Sequence, residues 1–330
     1  MSFQESSQDL IQARVCFASS NRARVLTGER EYDAFLSGTL EFLAESAADL
    51  PATGDYVLAR PIDAATVLVE QLLPRRTKLS RRAAGTRHEE QVLAANVDLA
   101  LILCGLDGDF NPRRIERYLA VAHEGGVEPV IVLNKADCCD DREERLAATR
   151  AVAGDCLVLL ISALTGEGCQ ALSGLLAPGV TAVLLGSSGA GKSTLLNRLT
   201  GTDTHSTAAV REHDSRGRHT TTHRELIVLD AGAALIDTPG LREVQLWAGE
   251  ASVAAVFDDI AALAARCRFA DCSHVSEPGC AVRDGVDPAR LASFHKLNRE
   301  AARHTDPRPE KTRWRAIHKA QRQFHKLRGR

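Results

Sequence analysis

The pattern of apolar and polar positions changes character twice along the chain. Between residues 13 and 73, short apolar stretches at 13–17, 22–26, 38–43, 56–59 and 66–72 alternate with turn formers, among them Asn21, Gly28, Pro51, Gly54, Pro61 and Pro74. Several short strands within about sixty residues predict a small β-barrel, and an SH3-like barrel fits the pattern nearly as well as other small barrels. From about Asn96, apolar strands at 99–104, 130–133, 158–161, 180–185 and 235–236 are separated by helical patterns such as 112–124 and 142–153. That alternation predicts a parallel sheet flanked by helices. After about Val253 strand patterns end, and helical patterns take over around a cysteine cluster and Pro307 and Pro309. No segment repeats. The chain therefore reads as multidomain: a barrel at 1–88, an α/β domain at 89–248 and a mostly helical domain at 249–330.

The strand at 180–185 runs into Gly186-Ser187-Ser188-Gly189-Ala190-Gly191-Lys192-Ser193-Thr194, which fits the P-loop pattern GxxxxGK[ST], and a helical pattern follows. Glycines let backbone N–H groups curl around phosphates, and the helix N-terminus adds favourable dipole charge. Lys192 is expected at the β- and γ-phosphates and Ser193 on Mg²⁺. Asn134-Lys135-Ala136-Asp137 ends another strand and matches NKxD. A carboxylate at Asp137 pairs bidentately with the N1–H and N2–H₂ donors of guanine, and adenine would leave it poorly paired. Asn134 is expected to bond the opposite base edge and brace the P-loop, with the Lys135 stem over the ring. Ser162-Ala163-Leu164 resembles the SAK/SAL element that supports guanine. Asp237-Thr238-Pro239-Gly240 matches DxxG, with Asp237 on Mg²⁺ through a water and the Gly240 N–H at the γ-phosphate. Thr220 and Thr221 are both candidates for the switch threonine that joins Ser193 and Asp237 around Mg²⁺.

The order of these motifs is informative, because NKxD and SAL precede the P-loop. The chemistry needs convergence in space, not chain order, so a circular permutation preserves the site and the predicted activity is GTP hydrolysis. Leu241 occupies the position where many GTPases orient water with glutamine. His219, as a catalytic residue, a group supplied by a partner, or slow turnover are the alternatives, and His219 also reads as a plain loop histidine.

Cys267, Cys272, His274 and Cys280 have the ligand set of a closed structural zinc site, with free buried cysteines as the alternative. The other six cysteines are scattered, which favours reduced thiols over a disulfide framework. The first ten residues are polar and acidic, and the apolar runs are too short to span a bilayer. A cytoplasmic protein without membrane contact is expected. The net charge is only −2, yet residues 296–330 carry twelve Lys and Arg against three Asp and Glu. Arg75, Arg76, Lys78, Arg81, Arg82 and Arg87 form a second basic run. Both mark the chain as a candidate partner of a polyanion.

Taken together, these motifs resemble the RsgA (YjeQ) family of circularly permuted GTPases over nearly the whole chain. More specific matches are Ser80-Arg81-Arg82-Ala83-Ala84-Gly85, Ala94-Ala95-Asn96-Val97-Asp98, Gly217-Arg218-His219-Thr220-Thr221-Thr222 and the cysteine–histidine spacing. The resemblance implies an oligonucleotide-binding-fold (OB) barrel and a structural zinc module. It also implies GTP hydrolysis stimulated by the small ribosomal subunit, contact with its rRNA, a role in late subunit maturation, and a catalytic role for His219. A GTP-controlled RNA-binding switch with negligible turnover, and a permuted GTPase acting on another RNP, are the competing readings. Nothing in the sequence requires more than a monomer.

Overall fold

The computed structural model describes residues 10–19, 22–28, 30–83, 89–202, 224–238 and 247–304. Five strands, β1 (Ile11–Ala18), β2 (Ala23–Thr27), β3 (Arg30–Leu36), β4 (Tyr56–Pro61) and β5 (Thr66–Leu72), close in the order β1-β2-β3-β5-β4-β1. Every contact is antiparallel except β3 with β5. This closure is that of the OB barrel and settles the choice left open with an SH3-like one. Alternate side chains fill the interior: Ala13, Val15, Val25, Ala34, Val57, Ala59, Val67 and Val69. Residues 38–43, expected as a strand, are instead α1 (Gly38–Leu43). Leu40 and Phe42 mimic a period of two, but the Ser37 hydroxyl accepts the Leu40 N–H at 3.1 Å, and this N-cap starts a helix. Leu40 alone of its side chains packs on the barrel core, and Phe42 and Leu43 are exposed.

A hairpin of β6 (Lys78–Arg82) and β7 (Glu90–Ala95) links the barrel to the α/β domain. The expected boundary after residue 88 lies outside the described residues. Much of the basic run is consumed here. Arg75 forks onto Asp55 with two 2.8 Å bonds and donates to the Ala48 and Leu50 carbonyls. Arg76 meets Asp98, Lys78 meets Glu90, and Arg81 donates to Gln91. The Asn96-Val97-Asp98 segment joins the two domains. Asn96, at φ 52°, accepts the Arg76 N–H and donates to the Gly54 carbonyl, while Asp98 accepts the Thr181 N–H. Arg14 reaches from the barrel to Thr181 Oγ1 at 2.7 Å.

The second domain comprises β8 (Leu99–Gly105), α2 (Pro112–Glu124), β9 (Glu128–Asn134), α3 (Arg142–Ala153), β10 (Leu157–Leu160), α4 (Cys169–Leu175), β11 (Thr181–Gly186), α5 (Lys192–Thr200), β12 (Glu225–Val228) and β13 (Ala234–Asp237). The strand order is β10-β9-β8-β11-β13-β12. All pairs are parallel except β12 with β13. Near-continuous apolar strands such as β11 are buried on both faces, as a covered parallel sheet requires. Ile115 and Leu119 of α2 and Val152 of α3 cover one face, and Leu172 of α4 with Leu195 and Leu196 of α5 cover the other. Strand β12 begins at Glu225, which pairs with Phe17, so barrel and sheet share an edge.

The C-terminal helices α6 (Glu250–Val256), α7 (Asp258–Ala264), α8 (Ala281–Gly285) and α9 (Pro288–His304) extend the first core layer through Val253, Phe257, Ile260, Val282 and Leu297. Among the described residues no helix is long and apolar enough to cross a membrane.

Candidate nucleotide site and metal centre

Parallel strands end their carboxyl termini on one side of the sheet, so β8, β9, β11 and β13 deliver their loops to one crevice. The P-loop bends at Gly186, Gly189 and Gly191, with φ of 150°, 90° and 93°. At Gly191 a Cβ would come within 2.2 Å of Asn134 Nδ2, so only glycine fits. Lys192 begins α5, and its ammonium donates to the Gly186 and Ser187 carbonyls at 2.8 and 2.7 Å. Burial pushes its pKa down, against the pull of Asp237 and Asp109. Ser193 and Thr194 follow on the first turn of α5.

Asn134 is the hub. Its Nδ2 donates to the Ala190 carbonyl at 2.9 Å and its Oδ1 accepts the Ala163 N–H at 2.9 Å. One buried amide thus fixes the P-loop, the strand end and the SAL loop together, as the sequence predicts for the P-loop half. Lys135 takes the left-handed conformation, φ 67°, and Ala136 is buried with its N–H on the Ile161 carbonyl. Asp137 is exposed, and hydrogen bonds from the Ser162 hydroxyl and the Cys138 thiol hold its carboxyl below the usual range. It is therefore an ionised acceptor at neutral pH, which is what a guanine edge requires. Ser162 and Ala163 are buried and Leu164 is exposed. Asp237 ends β13, and Thr238 Oγ1 donates to the Leu184 carbonyl, tying the DxxG turn to the P-loop strand. Gly240, Leu241, His219, Thr220 and Thr221 lie outside the described residues.

Three partners escaped the sequence reading. Asp107 meets the Lys135 ammonium at 2.5 Å. Asp109 accepts from the Ser187 hydroxyl and pairs with Arg114 at 2.7 Å. Burial raises both carboxyl pKa values, but Lys135 for Asp107, and Arg114 with Ser187 for Asp109, outweigh it and hold them low. Arg198 on α5 donates to the Ala163 and Leu164 carbonyls at 2.6 Å each. The usable signal was the turn Asp107-Gly108-Asp109 at the end of β8, since the register of β8 and β11 aligns Leu103 with Gly186.

The metal centre lies between α7 and α8. Ligand atoms of Cys267, Cys272, His274 and Cys280 all fall within 4.8 Å of one another. Cys267 Sγ is 3.7 Å from His274 Nδ1 and 4.0 Å from Cys280 Sγ, and Cys280 Sγ is 3.5 Å from Nδ1. Tetrahedral Zn–S bonds of about 2.3 Å place neighbouring sulfurs about 3.8 Å apart, so these spacings fit. His274 sits at φ 60°, and Cys280 caps α8 by accepting the Arg283 N–H. Backbone N–H groups of Val282 and Ala281 lower the Cys267 pKa, and burial raises that of Cys272 to about 11.

The RsgA GTPase family model matches residues 72–247. The chain belongs to the RsgA GTPase family. A small ribosomal subunit biogenesis GTPase RsgA from Opitutus terrae is 47% identical, with 98% of this chain and 94% of that protein aligned. An RsgA from Syntrophotalea carbinolica is 45% identical over 90% of this chain and 85% of its own length. Among solved structures, YjeQ from Thermotoga maritima superposes with a TM-score of 0.64 at 24% identity, covering 89% of this chain and 99% of that one. The circularly permuted GTPase YloQ superposes at 0.60 and 19% identity, covering 92% and 99%. These two share the fold, including the permuted order.

Proposed function

We propose that the chain hydrolyses GTP to GDP and phosphate in response to the small (30S) ribosomal subunit, and that it serves late maturation of that subunit in the cytoplasm as a monomer. The observation that carries the nucleotide half is the Asn134 hub, which gathers NKAD, SAL and P-loop into one crevice although they are out of the usual order. In this reading the domains are those expected, 1–88, 89–248 and 249–330. Asp137 takes guanine N1–H and N2–H₂, and the Ala163 region closes the base edge. The loop from Gly186 to Gly191 and Lys192 hold the phosphates. Ser193, Asp237 and a threonine at 220 or 221 hold Mg²⁺, which would neutralise phosphate charge. Cys267, Cys272, His274 and Cys280 hold a structural zinc, and four protein ligands leave it no open position for chemistry. His219 is assigned to positioning the attacking water. The partner half rests on the names of the relatives, and rRNA is its assigned contact.

Multiple-turnover phosphate release decides the reading. It is measured with the protein alone, with small subunits and with large subunits. Stimulation by small subunits only, abolished in Lys192→Ala, is the expected result. Tight guanine nucleotide binding with no stimulation by either subunit would replace it with a binding switch.

A further inference from the structure

Among the described residues, two arginines at the joint between barrel, hairpin and sheet meet no carboxylate. Arg81 on β6 donates through Nε to Gln91 Oε1 at 2.9 Å. Arg224, immediately before β12, reaches among the described residues the Val92 carbonyl, at 3.5 Å. Gln91 and Val92 are consecutive on β7, and the two guanidiniums held there are near enough for the charge of Arg81 to act on Arg224. A guanidinium has five N–H donors, and most of these ten are unused within the described residues. The neighbouring carboxylates are engaged elsewhere: Glu90 by Lys78 and Ser80, and Glu225 by Arg24. Near this joint Arg24, Arg75 and Arg76 each meet a carboxylate, and Arg14 donates to the Gly54 and Asn96 carbonyls and to Thr181 Oγ1. Both side chains are half-buried and remain open to solvent. Burial lowers the pKa of each, and the charge of Arg81 helps bring Arg224 down to about 10.

Keeping two like charges together and partly out of water costs free energy that nothing in the described fold returns. An anion between the two groups would offset that cost and take up the unused donors. Paired guanidiniums suit a phosphate, whose oxygens accept forked N–H bonds. We propose that Arg81 and Arg224 form a phosphate-binding site that takes a backbone phosphate of the small-subunit RNA; this rests on the subunit-dependent reading above. RNA is favoured over a small anion by place. The site lies where an OB barrel meets the sheet, and the barrel residue Thr53 holds the Arg224 carbonyl through Oγ1 at 3.4 Å. It also has a consequence for the nucleotide. Glu225, the next residue, pairs in β12 with Asp237 of β13. A phosphate seated on Arg224 would therefore fix the strand that flanks the DxxG aspartate.

The test compares wild type, Arg81→Gln and Arg224→Gln, with Arg81→Lys and Arg224→Lys as charge-preserving versions, in co-sedimentation with purified small subunits across a salt series. Each Gln variant is expected to bind about tenfold more weakly near physiological salt. Each should also flatten the logarithmic salt dependence by about one unit. The Lys variants should keep the slope. Mapping of phenylglyoxal modification on the wild type avoids any folding defect: Arg81 and Arg224 should react in the free protein and be shielded in the subunit complex. Wild-type slopes in both Gln variants, or unshielded arginines in the complex, would overturn the proposal. Shielding by millimolar inorganic phosphate but not by subunits would overturn the RNA assignment in favour of a small-anion site. Wild-type protein that neither binds nor responds to small subunits would instead sink the reading on which the proposal rests.

Discussion

At the scale of single residues, the candidate site is governed by which groups are kept charged and aimed. Asp137 is exposed, yet the Ser162 hydroxyl and the Cys138 thiol hold its carboxyl ionised. Asp137→Asn replaces an acceptor pair with one acceptor and one donor. Guanine nucleotide affinity should fall by about a hundredfold or more. Xanthine nucleotides, whose C2 carbonyl accepts an amide N–H, should lose far less; titration of fluorescent GDP and XDP checks this. The same contact makes a prediction about Cys138. Its hydrogen bond to Asp137 raises the thiol pKa above its ordinary 9.0. A raised thiol pKa means less thiolate at pH 7, so iodoacetamide labelling of Cys138 should be slow there and should still be climbing at the pH where an ordinary thiol levels off. Asp137→Asn should speed it, and equal rates in the two proteins at pH 7 would contradict the contact. Asp137 and Lys192 were legible because their chemistry is tied to a local pattern. Asp107, Asp109 and Arg198 were not, because their partners Lys135, Ser187 and Ala163 are distant in sequence and only the fold brings them together.

At the scale of elements, legibility followed length and periodicity. Helices α2 and α3 begin and end where the sequence pattern places them, since each has a clear apolar face and a terminating Gly125 or Gly154. Strand β12 escaped because four residues carry too little period, and the hairpin because Lys78, Arg81 and Arg82 read as a basic patch rather than as a strand. Helix α2 also serves the whole protein. Arg114 contacts Asp109 beside the P-loop, while Glu116 and Arg117 face α9. Glu116 is fully buried, accepting from Arg113 at 2.5 Å and Arg290 at 2.8 Å, and Arg290 also forks onto Asp259. Removing Arg290 leaves the buried Glu116 carboxylate to Arg113 alone and takes the partner from Asp259. Arg290→Ala should therefore destabilise by about 3 kcal/mol in chemical denaturation. The double change Glu116→Leu with Arg290→Met should recover much of that loss, because no buried charge is left. A double variant no better than the single one would show that the seam is held by packing, for instance of Arg290 on Phe257, 4.8 Å from the ring centroid.

At the scale of the whole molecule, permutation leaves the nucleotide crevice intact and changes what its ends are attached to. The strand bearing Asp237 lies beside β12, which pairs with the barrel, and the chain after it leads to the helices around the metal centre. The permuted order could be read from the sequence because each motif is local. The joints could not, because they depend on Asn96, Arg14 and Glu225 meeting partners across domains. The two ends of the molecule should separate experimentally. Cys280 is buried, caps α8 and lies 3.5 Å from the His274 ring nitrogen, so Cys280→Ser should cost one equivalent of bound metal, zinc in the proposed reading, by elemental analysis. Closed metal sites hold small modules together, and Cys280 belongs to the same core as Phe257, Val282 and Leu297. A lowered Tm should accompany the loss, as it should when a chelator strips the wild type at acid pH, where thiolates take up protons. The nucleotide crevice is braced independently by Asn134 and Arg198. GDP affinity should thus change by no more than about twofold, the limit for distant sites without shared partners. Stimulation by small subunits should fall far more. GDP binding lost in step with zinc would mean that the ionic seam along α2 carries the state of the metal centre into the crevice.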